Sequence, residues 1–211
     1  MILSKHVIPA VIAKNQQELD ATLDKVTSYV DWVQLDFMDN KFVPNTSLFF
    51  DFTLPKTSCK FEAHLMVSDP LTWIHNHGEK VDAILVHYES VQELEPVLQA
   101  IRQKKKRAGV VLNPETPLSV LFDYLDQLDQ VLIMTVTPGF YGSPFLPEMM
   151  NKIVELRHMK PSLDIEVDGG VTGDTIGLVN KAGANLFVSG SYIVKAENVQ
   201  QAIQTLENII Q

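Results

Sequence analysis

Short apolar runs alternate with longer stretches of helical period along almost the whole chain. The runs at 7–12, 33–38, 60–66, 83–87, 109–112, 131–136, 165–168 and 186–189 are rich in Val, Ile, Leu and Phe and bounded by turn residues, which predicts eight strands. Their near-continuous apolar character suits parallel strands covered on both faces. Between them, Leu19, Leu23, Val26 and Val30 form one helical stripe. Met150, Ile153, Val154 and Arg157 begin a second, and Val199, Ala202, Ile203, Leu206 and Ile210 form the last. The interval 46–57 carries the faintest helical pattern. Eight strand–helix units in this order predict an α/β fold, a (β/α)8 TIM barrel built as a single domain over residues 1–211. The chain is short for that fold, where about 250 residues is typical, so tight loops are expected. A doubly wound open sheet is the alternative, but its Gly-rich turn comes early, and here the glycine-bearing turns come late.

Side chains alternate along a strand, so residues two apart share a face. Gln34, Asp36 and Met38 therefore point one way, as do Glu62, His64 and Met66, and Glu166, Asp168 and Gly170. With those faces inward, four carboxylates, a histidine and a glutamine gather at one end of the barrel. Buried charge is costly unless it is paired or bound to metal, which marks a catalytic or metal site. Asp36 and Asp168 end their strands and could act as two proton carriers, one removing a proton beside a carbonyl and the other returning one to the opposite face. Met38, Met66 and Met134 also fall at strand ends. A second cluster is glycine-bearing: Gly139-Phe140-Tyr141-Gly142 after strand six, Gly169-Gly170 after strand seven, and Gly190-Ser191 after strand eight. Late barrel loops whose backbone N–H groups approach closely are suited to phosphate.

The chain has 211 residues, 45% hydrophobic and 20% charged, enough apolar material for a sizeable core. A formal charge of −9 argues against nucleic acid as a partner. The one basic block, Lys104-Lys105-Lys106-Arg107, ends a helical stretch, where cations complement the dipole. No apolar run approaches the roughly 20 residues needed to span a bilayer, so no membrane partner is expected. A single cysteine, Cys59, and the lack of a signal-like start fit a cytoplasmic protein. His75 and His77 fall in the third helical stretch, away from the strand ends. The helical exterior of a barrel could support a homo-oligomer.

The segments Leu35-Asp36-Phe37-Met38-Asp39-Asn40-Lys41-Phe42-Val43-Pro44-Asn45, His64-Leu65-Met66-Val67, Val86-His87-Tyr88-Glu89, Leu112-Asn113-Pro114-Glu115-Thr116-Pro117, Met134-Thr135-Val136-Thr137-Pro138-Gly139-Phe140 and Glu166-Val167-Asp168-Gly169-Gly170 stand in this order. In that order and spacing the chain resembles the ribulose-phosphate 3-epimerase family nearly end to end. The resemblance implies a ribulose-phosphate-binding barrel that inverts C3 of a phosphorylated 2-ketose. It also implies a divalent metal (zinc, iron or manganese) at the positions of Gln34, Asp36, His64 and Asp168. The two aspartates would carry protons, the three methionines would line the reacting carbon, and the glycine loops would hold phosphate.

Several positions depart from the family pattern. Gln34 replaces a histidine ligand, and Ala10 a serine near the substrate. Asn40 stands where glycine is usual, Tyr141 for glycine, and Ser143 for glutamine. The glutamine is neutral and a poorer zinc ligand than imidazole. Ribulose 5-phosphate is the default substrate. A six-carbon relative such as allulose 6-phosphate, or a barrel that binds sugar phosphate with impaired turnover, are the alternatives. A decarboxylase on a similar barrel would need a lysine where Met38 stands.

Overall fold

Every predicted strand forms, and all eight are parallel. The computed structural model describes residues 3–139 and 142–211. The barrel strands are β1 (His6–Val11), β2 (Trp32–Asp39), β3 (Lys60–Met66), β4 (Ala83–His87), β5 (Arg107–Leu112), β6 (Gln130–Met134), β7 (Asp164–Asp168) and β8 (Leu186–Ser189). Each pairs with the next. β1 closes the ring by pairing with β8, where Ile8 lies beside Val188, and with β2, where Ala10 lies beside Gln34. This is a closed (β/α)8 TIM barrel rather than an open sheet.

The helices are α1 (Gln16–Val26), α2 (Pro70–His77), α3 (Leu94–Gln103), α4 (Met149–Met159), α5 (Ile176–Ala182), the short α6 (Ser191–Val194) and α7 (Val199–Ile210). Asn15 starts α1 by accepting from Glu18 N, and Asp69 starts α2 by accepting from Thr72 N, with Pro70 opening the first turn. Leu19, Leu23 and Val26 of α1 are fully buried against the outer face of the strands. In α4 the buried stripe is Met149, Ile153 and Leu156, so Val154, expected on the inner face, is exposed.

Two of the eight units carry no α-helix. The interval 46–57 holds a two-residue strand, Thr46–Ser47, antiparallel to Met38 and Asp39, and then irregular chain. Phe52 plugs the gap, fully buried with its ring 5.1 Å from Phe37. Between β5 and β6 the chain makes only the 3-10 turns Leu118–Leu121 and Leu125–Gln127. Both units are punctuated by proline, at Pro44 and Pro55 and at Pro114 and Pro117, which removes a helical N–H and disfavours helix at the preceding residue. The basic block also divides: α3 ends at Gln103, while Arg107 opens β5 and bonds Asp164 at 2.6 Å.

Inside the ring, Ile8, Leu85, Val111, Leu132 and Val188 form an inner core. Beneath the strand-end layer lies a polar one. Gln130 Nε2 donates to Glu62 at 3.2 Å and to Glu166 at 2.7 Å, all three side chains being buried. Glu62 and Glu166 share a face with His64 and Asp168, as expected, but do not join them at one end. Each precedes its partner by two residues, about 6.6 Å lower along a strand. Burial lifts both carboxyls, Glu166 well above its ordinary pKa with the charge of Glu62 adding to the effect.

Candidate active site

Asp36 from β2 and His64 from β3 are register partners, and Asp168 ends β7. All three point into the C-terminal mouth of the ring, where barrel active sites lie. His64 Nδ1 is 3.2 Å from Asp36 Oδ1 and 3.4 Å from Asp168 Oδ2. Gln34, one layer lower on β2, ties the aspartates together. Its Nε2 donates to Asp36 Oδ1 at 2.8 Å and to Asp168 Oδ2 at 2.9 Å, and lies 3.3 Å from His64 Nδ1. The other amide atom, Oε1, is buried without a partner.

Electrostatics follow from this crowding. Burial raises the Asp36 carboxyl above its ordinary value, and the hydrogen bonds from His64 and Gln34 only moderate the shift. Burial pulls His64 down, but its hydrogen bonds to Asp168 and Asp36 outweigh that and hold it up at about 9. Behind His64 lies His87, Nε2 to Nε2 at 2.9 Å, and His87 Nδ1 is 3.3 Å from Glu89 Oε2. Burial pushes His87 down to about 4, so it stays neutral. A neutral His87 that donates Nδ1–H to Glu89 must accept at Nε2. His64 therefore donates Nε2–H outward and keeps Nδ1 facing the aspartates. Glu89 is held in turn by Asn113 N and by Thr116 Oγ1. His87 thus orients His64 from behind.

A cavity of about 380 Å³ opens above this cluster. Asp36, His64 and Asp168 lie on its floor, with Met38, Met66 and Met134 around them. Gly139, Gly142, Gly169, Gly170, Gly190 and Ser191 line its far side, and Ala10 lies along the wall. Gln34 supports the floor from below. Phe140 and Tyr141, also expected to line the site, fall outside the described residues. Sequence reasoning missed Ile12, Val136, Phe145, Thr172, Asp174, Thr175 and Tyr192, which also line it. The polar run Thr172-Gly173-Asp174-Thr175 straight after Gly170 was the available signal.

Local backbone shapes the rim. Gly169 has φ 112°, and a Cβ there would sit 2.3 Å from Val136 Cγ2, so only glycine fits. Asn40 takes the left-handed conformation, φ 59°, where glycine is usual in the resembled family. Asp39 organises the segment that follows, accepting from Lys41 N, Phe42 N, Ser68 N and Ser68 Oγ. That segment lays Phe42 against the His87 ring at 4.8 Å, and Asn45 Nδ2 donates to Gly139 O at 3.0 Å. His75 and His77 lie on α2, outside the lining of the cavity; His77 packs against Trp73 and Phe52. Cys59 is buried and free.

Asp36, His64 and Asp168 each offer one ligand atom, and the three atoms lie within 4.8 Å of one another. Two carboxylates and an imidazole at this spacing fit a divalent ion.

A closed parallel barrel with two aspartates and a histidine lining one cavity at its C-terminal mouth has the fold of the barrel enzymes and a site where theirs lie. The chain belongs to the ribulose-phosphate 3 epimerase family, whose model matches residues 6–194. It is an isomerase, an epimerase acting on a sugar phosphate. A ribulose-phosphate 3-epimerase from Bacillus subtilis is 39% identical over 83% of this chain and 85% of its own length. One from Synechocystis is 37% identical over 98% and 95%. One from Eremothecium gossypii is 33% identical over 96% and 91%. Among solved structures, KGPDC from Streptococcus mutans superposes with a TM-score of 0.73 at 18% identity, covering 99% of this chain and 98% of that one. The 3-keto-L-gulonate-6-phosphate decarboxylase of Vibrio cholerae gives 0.71 at 14%, covering 99% and 98%. At these identities the structural likeness is one of fold. No helix among the described residues is long and apolar enough to cross a membrane.

Proposed function

We propose that this protein interconverts ribulose 5-phosphate and xylulose 5-phosphate by proton transfer between Asp36, Asp168 and C3 of the sugar. The observation that carries this reading is the pair itself: two carboxylates tied by one amide, lining one cavity beside a buried histidine. One aspartate removes the C3 proton, leaving a planar enediolate, and the other delivers a proton to the opposite face. The roles exchange with direction. A raised pKa suits Asp36 to holding a proton between the two steps. Met38, Met66 and Met134 keep water from the reacting carbon with a soft apolar wall. Gly139, Gly142, Gly169, Gly170, Gly190 and Ser191, with Phe140 and Tyr141, take the phosphate end.

A divalent metal (zinc, iron or manganese) on Asp36, His64 and Asp168, with Gln34 at a fourth position, would act as a Lewis acid toward the enediolate oxygens. His87 and Glu89 keep His64 Nδ1 turned toward that position. The five-carbon substrate is supported by the ribulose-phosphate names of the relatives. The reading takes residues 1–211 as one barrel domain working in the cytoplasm, as a homo-oligomer through exposed apolar side chains such as Phe49 and Leu178. Light scattering and cell fractionation check those two points.

The decisive experiment is exchange of the C3 proton in deuterated water. Asp36→Asn and Asp168→Asn should each lower turnover by roughly a thousandfold or more. Interconversion of the two epimers retained in both single variants refutes the assignment; exchange at C3 without inversion does not, because the remaining aspartate still reaches the proton on its own face.

A further inference from the structure

The four polar atoms at the cavity floor are spaced like the corners of a coordination shell. Gln34 Nε2 lies 2.8, 2.9 and 3.3 Å from Asp36 Oδ1, Asp168 Oδ2 and His64 Nδ1, and the histidine nitrogen lies 3.2 and 3.4 Å from the two carboxylate oxygens. Ligands about 2.1 Å from one ion stand roughly 3.0 to 3.4 Å from their neighbours in octahedral or tetrahedral shells. Gln34 thus reaches a ligand corner, but with the wrong atom. An amide N–H2 donates hydrogen bonds and has no lone pair for a metal. The atom that could bind a cation, Oε1, faces the other way, fully buried and without a partner. A half-turn of the carboxamide exchanges the two atoms within the same shape.

Each orientation has its own stabilisation. With N–H inward, two charge-assisted hydrogen bonds join the facing aspartates and hold them together against their mutual repulsion. With Oε1 inward, the orphaned oxygen gains a cation, and the donor set becomes three oxygens and one imidazole nitrogen. Such a set is harder than one with two imidazoles and suits manganese-like ions more and zinc less. A cation entering this site must displace the amide bridge, a competition that an imidazole at residue 34 would not impose.

We propose that Gln34 is a turning ligand: its carboxamide exchanges an N–H bridge between Asp36 and Asp168 for Oε1 on a divalent cation, so that the site holds its ion loosely and discriminates weakly in favour of zinc. The proposal rests on the reading that this site takes a metal, but its test does not depend on turnover.

Protein stripped by chelation is titrated with zinc and with manganese by calorimetry, as wild type, Gln34→His and Gln34→Glu. Gln34→His should raise zinc affinity by roughly a hundredfold and manganese affinity by no more than about tenfold, so their ratio widens. Gln34→Glu keeps an oxygen, loses the competing N–H and should tighten both ions together. In nitrogen-15 spectra, a side-chain N–H2 pair that disappears in Gln34→Glu should be protected from solvent exchange and should shift when zinc is added. An unchanged zinc-to-manganese ratio in folded Gln34→His overturns the proposal. So does an N–H2 pair that stays put while the ion binds. If neither wild type nor the variants take either ion, the metal reading falls and the turning ligand with it, while C3 exchange by the wild type still judges the epimerase reading separately.

Discussion

His64 and His87 touch, yet their surroundings drive them in opposite directions. His87 has a folded pKa of about 4, below the roughly 6.5 of an unfolded histidine, so the unfolded chain binds the proton the folded one refuses. Its contribution is intact above about pH 6.5 and is lost as pH falls toward 4. His64, held at about 9, works the other way. Its contribution is complete below about pH 6.5 and is lost as pH rises through 9. The acid and alkaline limbs are each worth up to about 3 kcal/mol in metal-free protein, read as the difference between wild type and the variant lacking that histidine, since the raised carboxyls of Asp36, Glu62 and Glu166 also lose stability as pH rises. Urea midpoints from pH 5 to 9 test this. His87→Gln should flatten the acid limb and His64→Gln the alkaline one, and an acid limb that survives in His87→Gln would contradict the account. These pairings were half legible beforehand. Alternation along β2, β3 and β7 put Gln34, Asp36, His64 and Asp168 on inward faces from the sequence. The contact between His64 and His87 depends on the lateral register of β3 and β4, which side-chain alternation does not encode.

At the scale of elements, the segment after β2 matters more than a helix there would have. Asp39 clamps it with four hydrogen bonds from Lys41, Phe42 and Ser68. These outweigh burial and lower the Asp39 carboxyl to about 2. Because the group is partly wet, its loss should cost only about 1 kcal/mol of stability. The larger effect falls on the site, since the same segment carries Phe42 over His87 and fastens Asn45 to Gly139. Asp39→Ala should raise KM for the sugar phosphate several-fold with a smaller change in kcat, measured by steady-state kinetics. Equal falls in kcat and kcat/KM would instead place Asp39 in the chemical step. The missing helix explains why sequence reading was weakest in this interval. Leu48 and Phe52 are the only buried apolar side chains of the interval, one i, i+4 pair and too few to show a period.

For the molecule as a whole, the strand count and closure could be read from the chain because each strand is a continuous apolar run between turn residues. The layering inside the ring could not. Glu62 and Glu166 share faces with His64 and Asp168 and differ from them only in height, which places them in a floor joined by Gln130. Gln130→Leu leaves two buried carboxyls short of a donor and should destabilise the fold by about 2–4 kcal/mol. Chemical denaturation checks this, and turnover per folded molecule should stay near the wild-type value. A loss below about 1 kcal/mol would mean the carboxyls satisfy each other without it.

That floor, with Trp32 and Leu186 in the apolar layer beside it, separates the cavity at the C-terminal mouth from a small pocket of about 30 Å³ at the other end, which Trp32, Glu62, Gln130 and Leu186 line. On the proposed reading, an ion settling on Asp36, His64 and Asp168 at the cavity floor would arrive before the sugar phosphate and would not leave beneath it. Loading would then be sequential, with unloading in reverse. Each sugar would act as a stopper on the site below, and the time between one sugar leaving and the next arriving would set how often an ion can be exchanged.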